Sequence, residues 1–253
     1  MRITLLQDSI VWADKPANLL HIGKQIATLA GQTDLVVLPE MFTTGFCTDQ
    51  LHLAEDMDGE TVRTLKMWAA NYQLALTGSF IATENGKTYN RAFFVFPNGE
   101  IKKADKRHLF SMGGENQYFT PGNERMVVNY CGFNICVLVC YDIRFPVWSR
   151  NVNNEYDLLI FVANFPERRI ADWDILLRAR AIENQCYVCG LNIVGKDAKG
   201  ITYNGHSVLL DYNASPIISF AENTIAFNTA EIAFAPLQLY RQKFPVWKDA
   251  DKN

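Results

Sequence analysis

The sequence predicts an α/β fold, a mixed β-sheet with helices packed against it. Three observations carry that prediction. Short apolar runs rich in Val and Ile, of strand length, recur along the chain, as at residues 35–38 and 133–139. Between several of them lie stretches whose apolar residues fall three or four apart, the spacing of one helix face. Other neighbouring runs are separated only by a tight polar turn, which makes hairpins and therefore some antiparallel pairing.

Taken in order, residues 2–7 read as a first strand, and a helix starts near Pro16 and runs through Leu29, since Pro is favoured in a first helical turn. The strand ending at Leu38 follows. Residues 61–72 form a helix with Val62, Leu65 and Trp68 or Ala69 on one face. Residues 74–83 and 88–96 flank Glu84-Asn85-Gly86-Lys87, where Asn-Gly supports a tight hairpin because both residues tolerate positive φ. Pro97-Asn98-Gly99 turns the chain into a strand over 101–105. Residues 107–123 are polar, contain glycine and lack periodicity, so they read as an ordered loop. After the strand at 133–139 come a helix over roughly 146–153, a strand at 157–163 and a helix at 172–184. From Ile193 onward hairpin logic dominates, with turns at Asp197-Ala198-Lys199-Gly200 and Tyr212-Asn213-Ala214-Ser215.

Three strand-like runs end in complementary chemistry. Cys140 closes Phe133-Asn134-Ile135-Cys136-Val137-Leu138-Val139, Glu40 follows Leu38-Pro39, and Lys106 follows Ile101-Lys102-Lys103-Ala104-Asp105. A thiol at a strand-to-helix junction is held from behind and faces backbone N–H groups ahead, an environment expected to favour thiolate and to supply donors for an oxyanion. Met41, Phe42, Gly45 and Phe46 surround Glu40 with apolar residues, and such burial is expected to raise a carboxyl pKa. Taken alone, Cys140 would read as a buried structural thiol, Glu40 as a surface carboxylate, and Lys106 as part of a solvated basic edge with Lys102, Lys103 and Arg107.

In these segments the chain resembles the nitrilase superfamily of carbon–nitrogen hydrolases. The matching residues are Leu38-Pro39-Glu40 with Gly45-Phe46, Asp105-Lys106-Arg107-His108-Leu109-Phe110, Glu115 with Phe119-Thr120-Pro121-Gly122, Cys140-Tyr141-Asp142-Ile143-Arg144-Phe145-Pro146, Ala163-Asn164-Phe165-Pro166, and Arg178-Ala179-Arg180-Ala181-Ile182-Glu183-Asn184. Their order and spacing together are highly specific and cover essentially the whole chain. Within the superfamily the chain looks most like the bacterial ω-amidases, through Arg144-Phe145-Pro146-Val147-Trp148-Ser149-Arg150-Asn151 and Tyr240-Arg241-Gln242-Lys243-Phe244-Pro245-Val246-Trp247. Many members have Glu after Arg-Phe-Pro, where this chain has Val147.

The resemblance implies a four-layer αββα sandwich of two mixed β-sheets, paired through helices as a homodimer. It implies Cys140 as nucleophile, Glu40 as proton shuttle, and Lys106 with the backbone N–H of Tyr141 as oxyanion holders. Glu115 is implied as a second glutamate orienting Lys106 and the substrate. Phe42, Phe110 and Phe165 are candidate pocket walls. Arg144 and Asn164 are candidate substrate contacts, and Arg144 and Asp142 equally form a structural pair in this reading. Arg168 or Arg169 is a candidate for a substrate carboxylate. The activity implied is ω-amidase: hydrolysis of the terminal amide of a short 2-oxo dicarboxylic acid monoamide, such as 2-oxoglutaramate to 2-oxoglutarate and ammonia. N-carbamoyl compounds, deaminated glutathione and aliphatic amides are the alternatives within the superfamily, and a non-catalytic binding protein the alternative outside it. Glu40 serves as base because none of the four histidines falls in a partner motif.

Composition sets the bounds. A chain of 253 residues with 49% hydrophobic content suits one large, well-buried domain over residues 1–253. A formal charge of -3 gives no electrostatic footprint for nucleic acid. No apolar run approaches the roughly 20 residues of a membrane span, and residues 1–7 are too short for a signal sequence, so a cytoplasmic protein is expected. The six cysteines read as free thiols in that compartment. Cys186-Tyr187-Val188-Cys189 has zinc-knuckle spacing, but no second pair accompanies it, so both read as small core residues. No metal and no cofactor is expected, because every catalytic task already has a protein group.

Overall fold

The computed structural model describes residues 1–250. Its first half builds one six-stranded sheet. β1 (Arg2–Gln7) leads into helix α1 (Lys15–Thr28), whose first turn is capped by the Asp14 carboxylate accepting the Ala17 N–H at 3.0 Å. β2 (Leu35–Val37), helix α2 (Glu60–Tyr72) and β3 (Ala75–Glu84) follow, and β1, β2 and β3 run parallel. β4 (Lys87–Val95) returns antiparallel through a turn in which Asn85 and Gly86 both have positive φ, as the Asn-Gly pair predicts. β5 (Ile101–Asp105) completes the hairpin series.

The second half repeats the plan. After a one-turn helix α3 (Glu115–Tyr118) come β6 (Met126–Tyr130), β7 (Phe133–Val139), β8 (Leu158–Ala163), helix α4 (Ile170–Asn184) and β9 (Tyr187–Asn192). Strands β7, β8 and β9 are parallel to one another. A small separate ribbon of β10 (Val194–Lys196) and β11 (Thr202–Asn204) precedes β12 (Val208–Leu210) and β13 (Pro216–Ser219), which extend the second sheet. The strand β14 (Ala226–Glu231) then crosses back to pair antiparallel with β1 in the first sheet, and helix α5 (Phe234–Lys243) ends the regular structure. The two sheets have the orders β14-β1-β2-β3-β4-β5 and β13-β12-β9-β8-β7-β6.

Alternation along the parallel strands shows the layering. In β2, Leu35 and Val37 join the core shared with β7, β8 and β9, whereas Val36 and the following Leu38 pack with α1 and α2. Both faces of each central strand are therefore buried, which is why the strands read as unbroken apolar runs. On the far side α4 lies directly on β9: a Cβ built on Gly190 would stand 2.4 Å from a Leu177 methyl and 2.9 Å from the Trp173 ring. Helices cover both outer faces of two packed sheets, giving the four-layer αββα sandwich. Cys186 and Cys189 lie inside this core, as read from their apolar surroundings.

The sequence reading departs from the structure in three places. The helix expected over 146–153 does not form. Residues Cys140–Arg144 make a 3₁₀ turn, and a second short turn at Val152–Asn154 contains left-handed Asn153 and Asn154. Pro146 brings no N–H, and the Asn151 side chain bonds instead to the Tyr156 and Asn184 carbonyls, which holds this stretch in an irregular path. The 107–123 segment is mostly loop but includes α3. The C-terminal region, read as hairpins, ends in α5, tied down by Arg241 to Asp157 at 2.7 Å and to the Tyr156 and Gln185 carbonyls. Those partners lie far away in sequence, so local pattern carried no trace of them.

Candidate active site

Strand ends converge where the two sheets face each other. The chain leaves β2 at Val37 and reaches Glu40, leaves β5 at Asp105 and reaches Lys106, and leaves β7 at Val139 and reaches Cys140. The junction after Glu40 and that at Cys140 are sharp: Met41 has φ 46° and Cys140 itself φ 46°, left-handed conformations that ordinary residues seldom adopt. Gly122 lets the loop close behind Lys106. Its N–H donates to the Lys106 carbonyl at 2.9 Å, and a Cβ there would sit 2.0 Å from the Asp105 carbonyl oxygen.

Glu40, Lys106 and Glu115 are all buried and form one ionic cluster. The Lys106 ammonium donates to Glu40 Oε1 at 3.0 Å and to Glu115 Oε1 and Oε2 at 3.1 and 2.9 Å. The Phe110 N–H donates to Glu115 Oε2 at 2.6 Å. Asn164 donates its backbone N–H to Glu40 Oε2 at 2.8 Å and its side-chain amide to the Glu40 carbonyl at 2.8 Å and to Oε2 at 3.2 Å. Burial alone would raise the Glu40 carboxyl, but the Lys106 charge and these donations outweigh it and hold Glu40 below the usual carboxylate range. This reverses the expectation that apolar surroundings raise it. For Glu115 burial, joined by the Glu40 charge, wins over Lys106 and pushes the carboxyl up. Burial disfavours the Lys106 charge, yet the two glutamates more than compensate and raise it. Cys140 is pushed well above an ordinary thiol by burial and then by Glu40, which favours the thiol over the expected thiolate.

The turn carrying Cys140 is clamped from two sides. Asp142 accepts the Val139 N–H at 3.1 Å, and the His108 N–H and ring Nδ1 lie 2.9 and 2.8 Å from its other oxygen. His108 in turn stacks on Phe145, ring centres 3.6 Å apart. From α4, Arg180 donates to the Ile143 carbonyl at 3.1 and 2.6 Å.

Cys140 and Lys106 open into a cavity of about 150 Å³, lined also by Phe46, Phe110, Tyr141, Asn164, Phe165 and Tyr203. Its mouth carries Arg144, Arg168 and Arg169 beside Met112 and Tyr141. Arg144 pairs with Asp172 at 2.6 Å, not with Asp142. Neither Arg168 nor Arg169 meets a carboxylate within bonding distance among the described residues. Arg169 lies over the Phe110 ring at 4.9 Å, and partial burial together with Arg168 and Arg144 disfavours its charge.

Phe110, Tyr141, Arg144, Asn164 and Phe165 thus lie at the cavity. Phe42 does not: it is buried under the first helix layer, edge-on to Phe93 at 5.9 Å, because its N–H bonds to Ser79 and turns the ring away from the site. Phe46 stands at the wall instead. Sequence reasoning missed Asn90, Ser79, Tyr203 and Asn192. Asn192 holds the turn after β8, accepting the Phe165 N–H at 2.7 Å and donating to the Phe165 carbonyl at 2.9 Å. The available signal was an amide side chain inside or ending an apolar strand, since a buried amide must find partners.

The carbon-nitrogen hydrolase family profile matches residues 2–242. The chain is 44% identical to an omega-amidase, YafV, of Escherichia coli K12, over 100% of this chain and 97% of that one. It is 31% identical to a 2-oxoglutaramate amidase of Bacillus subtilis 168, covering 99% and 98% of the two chains. The crystal structure of XC1258 from Xanthomonas campestris, a CN-hydrolase superfamily protein with an arsenic adduct in its active site, superposes with a TM-score of 0.98 at 40% identity, covering 100% of this chain and 98% of that one. With strand-end glutamate, lysine and cysteine gathered on an αββα sandwich and these matches along its length, the chain belongs to the carbon–nitrogen hydrolase family.

Proposed function

We propose that residues 1–253 act as one ω-amidase domain, cleaving the terminal amide of short 2-oxo dicarboxylic acid monoamides, with 2-oxoglutaramate giving 2-oxoglutarate and ammonia as the leading reaction. The observation that carries this reading is the pair Arg168 and Arg169, cations without carboxylate partners among the described residues, at the mouth of a small cavity whose floor is Cys140 and Lys106. A carboxylate at the far end of a short acyl chain relieves their crowding, while an unpaired charge there is costly. The full-length likeness to the relatives named above supports the same substrate class.

In this mechanism the amide carbonyl oxygen sits between the Lys106 ammonium and the Tyr141 N–H. Cys140 Sγ attacks the carbonyl carbon while its proton passes to Glu40. Because the resting thiol is held protonated, proton transfer and bond formation run together. Glu40 returns that proton to the departing nitrogen, and ammonia leaves a thioester. Glu40 then takes a proton from water as the hydroxide adds to the thioester carbon, and the thiol regains it as the carboxylic acid departs. Glu115 keeps Lys106 charged and placed. Phe110, Phe165 and Phe46 wall the acyl chain, and Arg144, tied to Asp172, borders the carboxylate end.

The working form in this reading is a cytoplasmic homodimer. Six free cysteines suit a reducing compartment. Among the described residues no helix is long and apolar enough to cross a membrane. Exposed Ile175 and Ile182 lie two turns apart on one face of α4, and Leu239 and Phe244 are exposed at the adjoining α5, a surface suited to a second copy.

The test is ammonia release over a panel of monoamides, neutral amides, nitriles and N-carbamoyl compounds. Carboxylate-bearing monoamides are expected to exceed neutral amides of equal length by at least about tenfold in kcat/KM, about 1.4 kcal/mol at the transition state. Arg169→Ala should erase most of that preference and leave neutral amides unaffected. Equal rates for neutral amides or nitriles in the wild-type protein would defeat the ω-amidase reading.

A further inference from the structure

Between the two glutamates lies a side chain that the mechanism has not yet used. Asn90, on β4, is 1% exposed, and its side-chain nitrogen donates to Glu40 Oε1 at 2.8 Å and to Glu115 Oε1 at 3.1 Å. One amide thus touches both carboxylates, at the same oxygens that accept from Lys106. Its orientation is not free. The Ser79 hydroxyl donates to Asn90 Oδ1 at 2.9 Å, and that hydroxyl accepts the Met41 N–H at 2.9 Å. Met41 follows Glu40 directly and occupies the left-handed turn that aims Glu40 at the site. The bonds therefore close a ring: Glu40 carboxylate, Asn90 amide, Ser79 hydroxyl, Met41 N–H and back to Glu40. The Asn90 carbonyl also accepts the Lys106 N–H at 2.9 Å, so the same residue fixes the backbone of the lysine.

We propose that Asn90 is a positioning residue: its amide, oriented by Ser79, sets the spacing of Glu40 and Glu115 about the Lys106 ammonium and keeps Glu40 the unprotonated, proton-accepting carboxylate. The proposal rests on Glu40 being the base in the reading above. The physical argument is that the Asn90 amide on Glu40 Oε1 and the Asn164 N–H on Oε2 favour the ionised form, and that a carboxylate held at both oxygens cannot rotate away from Sγ. The titratable groups that face Glu40 are Lys106, Glu115, Cys140 and Tyr203, from the turn after β5, α3, the turn after β7 and β11. None of these can substitute for a neutral donor that contacts both glutamates without adding charge.

The test follows the rate of Cys140 alkylation by iodoacetamide against pH, read by mass spectrometry of the modified peptide. It needs no substrate, so it stands or falls separately from the ω-amidase assignment. In Asn90→Ala the acid limb of that profile, where Glu40 takes up its proton, is expected to move up by about one pH unit, the scale of one charge-assisted hydrogen bond. Ser79→Ala retains both donors but frees their orientation, and should move the limb the same way by less. With the best amide from the substrate panel, kcat at neutral pH should fall on the order of 100-fold in Asn90→Ala, with KM changed less than about threefold. Far-UV circular dichroism and thermal melting establish that each variant is folded, and Ser79→Ala carries the test alone if Asn90→Ala is not. An acid limb that stays in place in the folded variants would overturn the proposal, since a merely structural role lowers activity without moving it. A rise in KM with kcat unchanged would overturn it as well.

Discussion

Lys106 is the side chain on which the electrostatics of the site depend. Among the described residues it is the one cation in contact with both buried glutamates, each of which would otherwise sit in the interior with only neutral donors. Removing one partner of such a cluster leaves uncompensated charge, at a cost of about 3–5 kcal/mol. Lys106→Met should therefore lower the melting temperature sharply as well as abolish turnover, whereas Cys140→Ala should abolish turnover with the fold intact, because a thiol held protonated contributes no charge. The pH dependence has a definite sign. Lys106 is raised in the folded chain, so its contribution is complete below its unfolded value and lost only as pH rises through the folded one. Glu40 is lowered, so its contribution is present above an unfolded value of about 4.3 and is lost as pH falls through the folded one. The wild-type advantage over Lys106→Met should be widest near neutrality and shrink toward pH 4, where the variant's buried glutamates take up protons and no longer lack a counter-charge. Calorimetry of both proteins across that range checks it, and equal melting temperatures at pH 7 would contradict the account.

Among the elements, α4 has a second task besides covering the sheet. Gly190 lets it lie close to β9, and from that seat Arg180 reaches the Ile143 carbonyl in the turn that bears Cys140. A helix packed on the outside of the sandwich thereby holds the nucleophile's backbone in its left-handed conformation. Arg180→Met keeps much of the side chain's bulk and removes both donations. We expect kcat to fall at least about tenfold with KM little changed, since a small misplacement of Sγ costs attack geometry more than binding. Steady-state kinetics decide it: unchanged kcat would mean that the turn is held by Asp142 and His108 alone. The short strands behave as the apolar runs foretold, and so does the Asn85-Gly86 hairpin. The stretch after Pro146 does not, because Asn151 bonds to Asn184 as well as to nearby Tyr156, and Asn184 lies outside any window of sequence around it.

For the molecule as a whole, the sandwich leaves Ile175 and Ile182 of α4 exposed, together with Val147 in the turn beyond Cys140. If this face joins two copies, Ile175→Glu with Ile182→Glu should give a monomer by analytical ultracentrifugation where the wild-type chain sediments as a dimer. A monomeric wild-type chain at micromolar concentration would contradict the pairing. What the sequence by itself determined was the central apolar strands, the Asn85-Gly86 hairpin, the first two helices and the helix ending at Asn184, and the three strand ends where Glu40, Lys106 and Cys140 stand. Apolar periodicity and turn chemistry are local, and a residue type placed just past a strand declares its position without reference to anything distant. What only the tertiary structure decided was which charges meet. The lowered Glu40, the protonated Cys140, the exchange of Arg144 from Asp142 to Asp172, the burial of Phe42 and the bridging amide of Asn90 all depend on partners from other strands and helices. Electrostatic energy inside a protein is set by distance and burial, and neither can be read along a chain until it has folded.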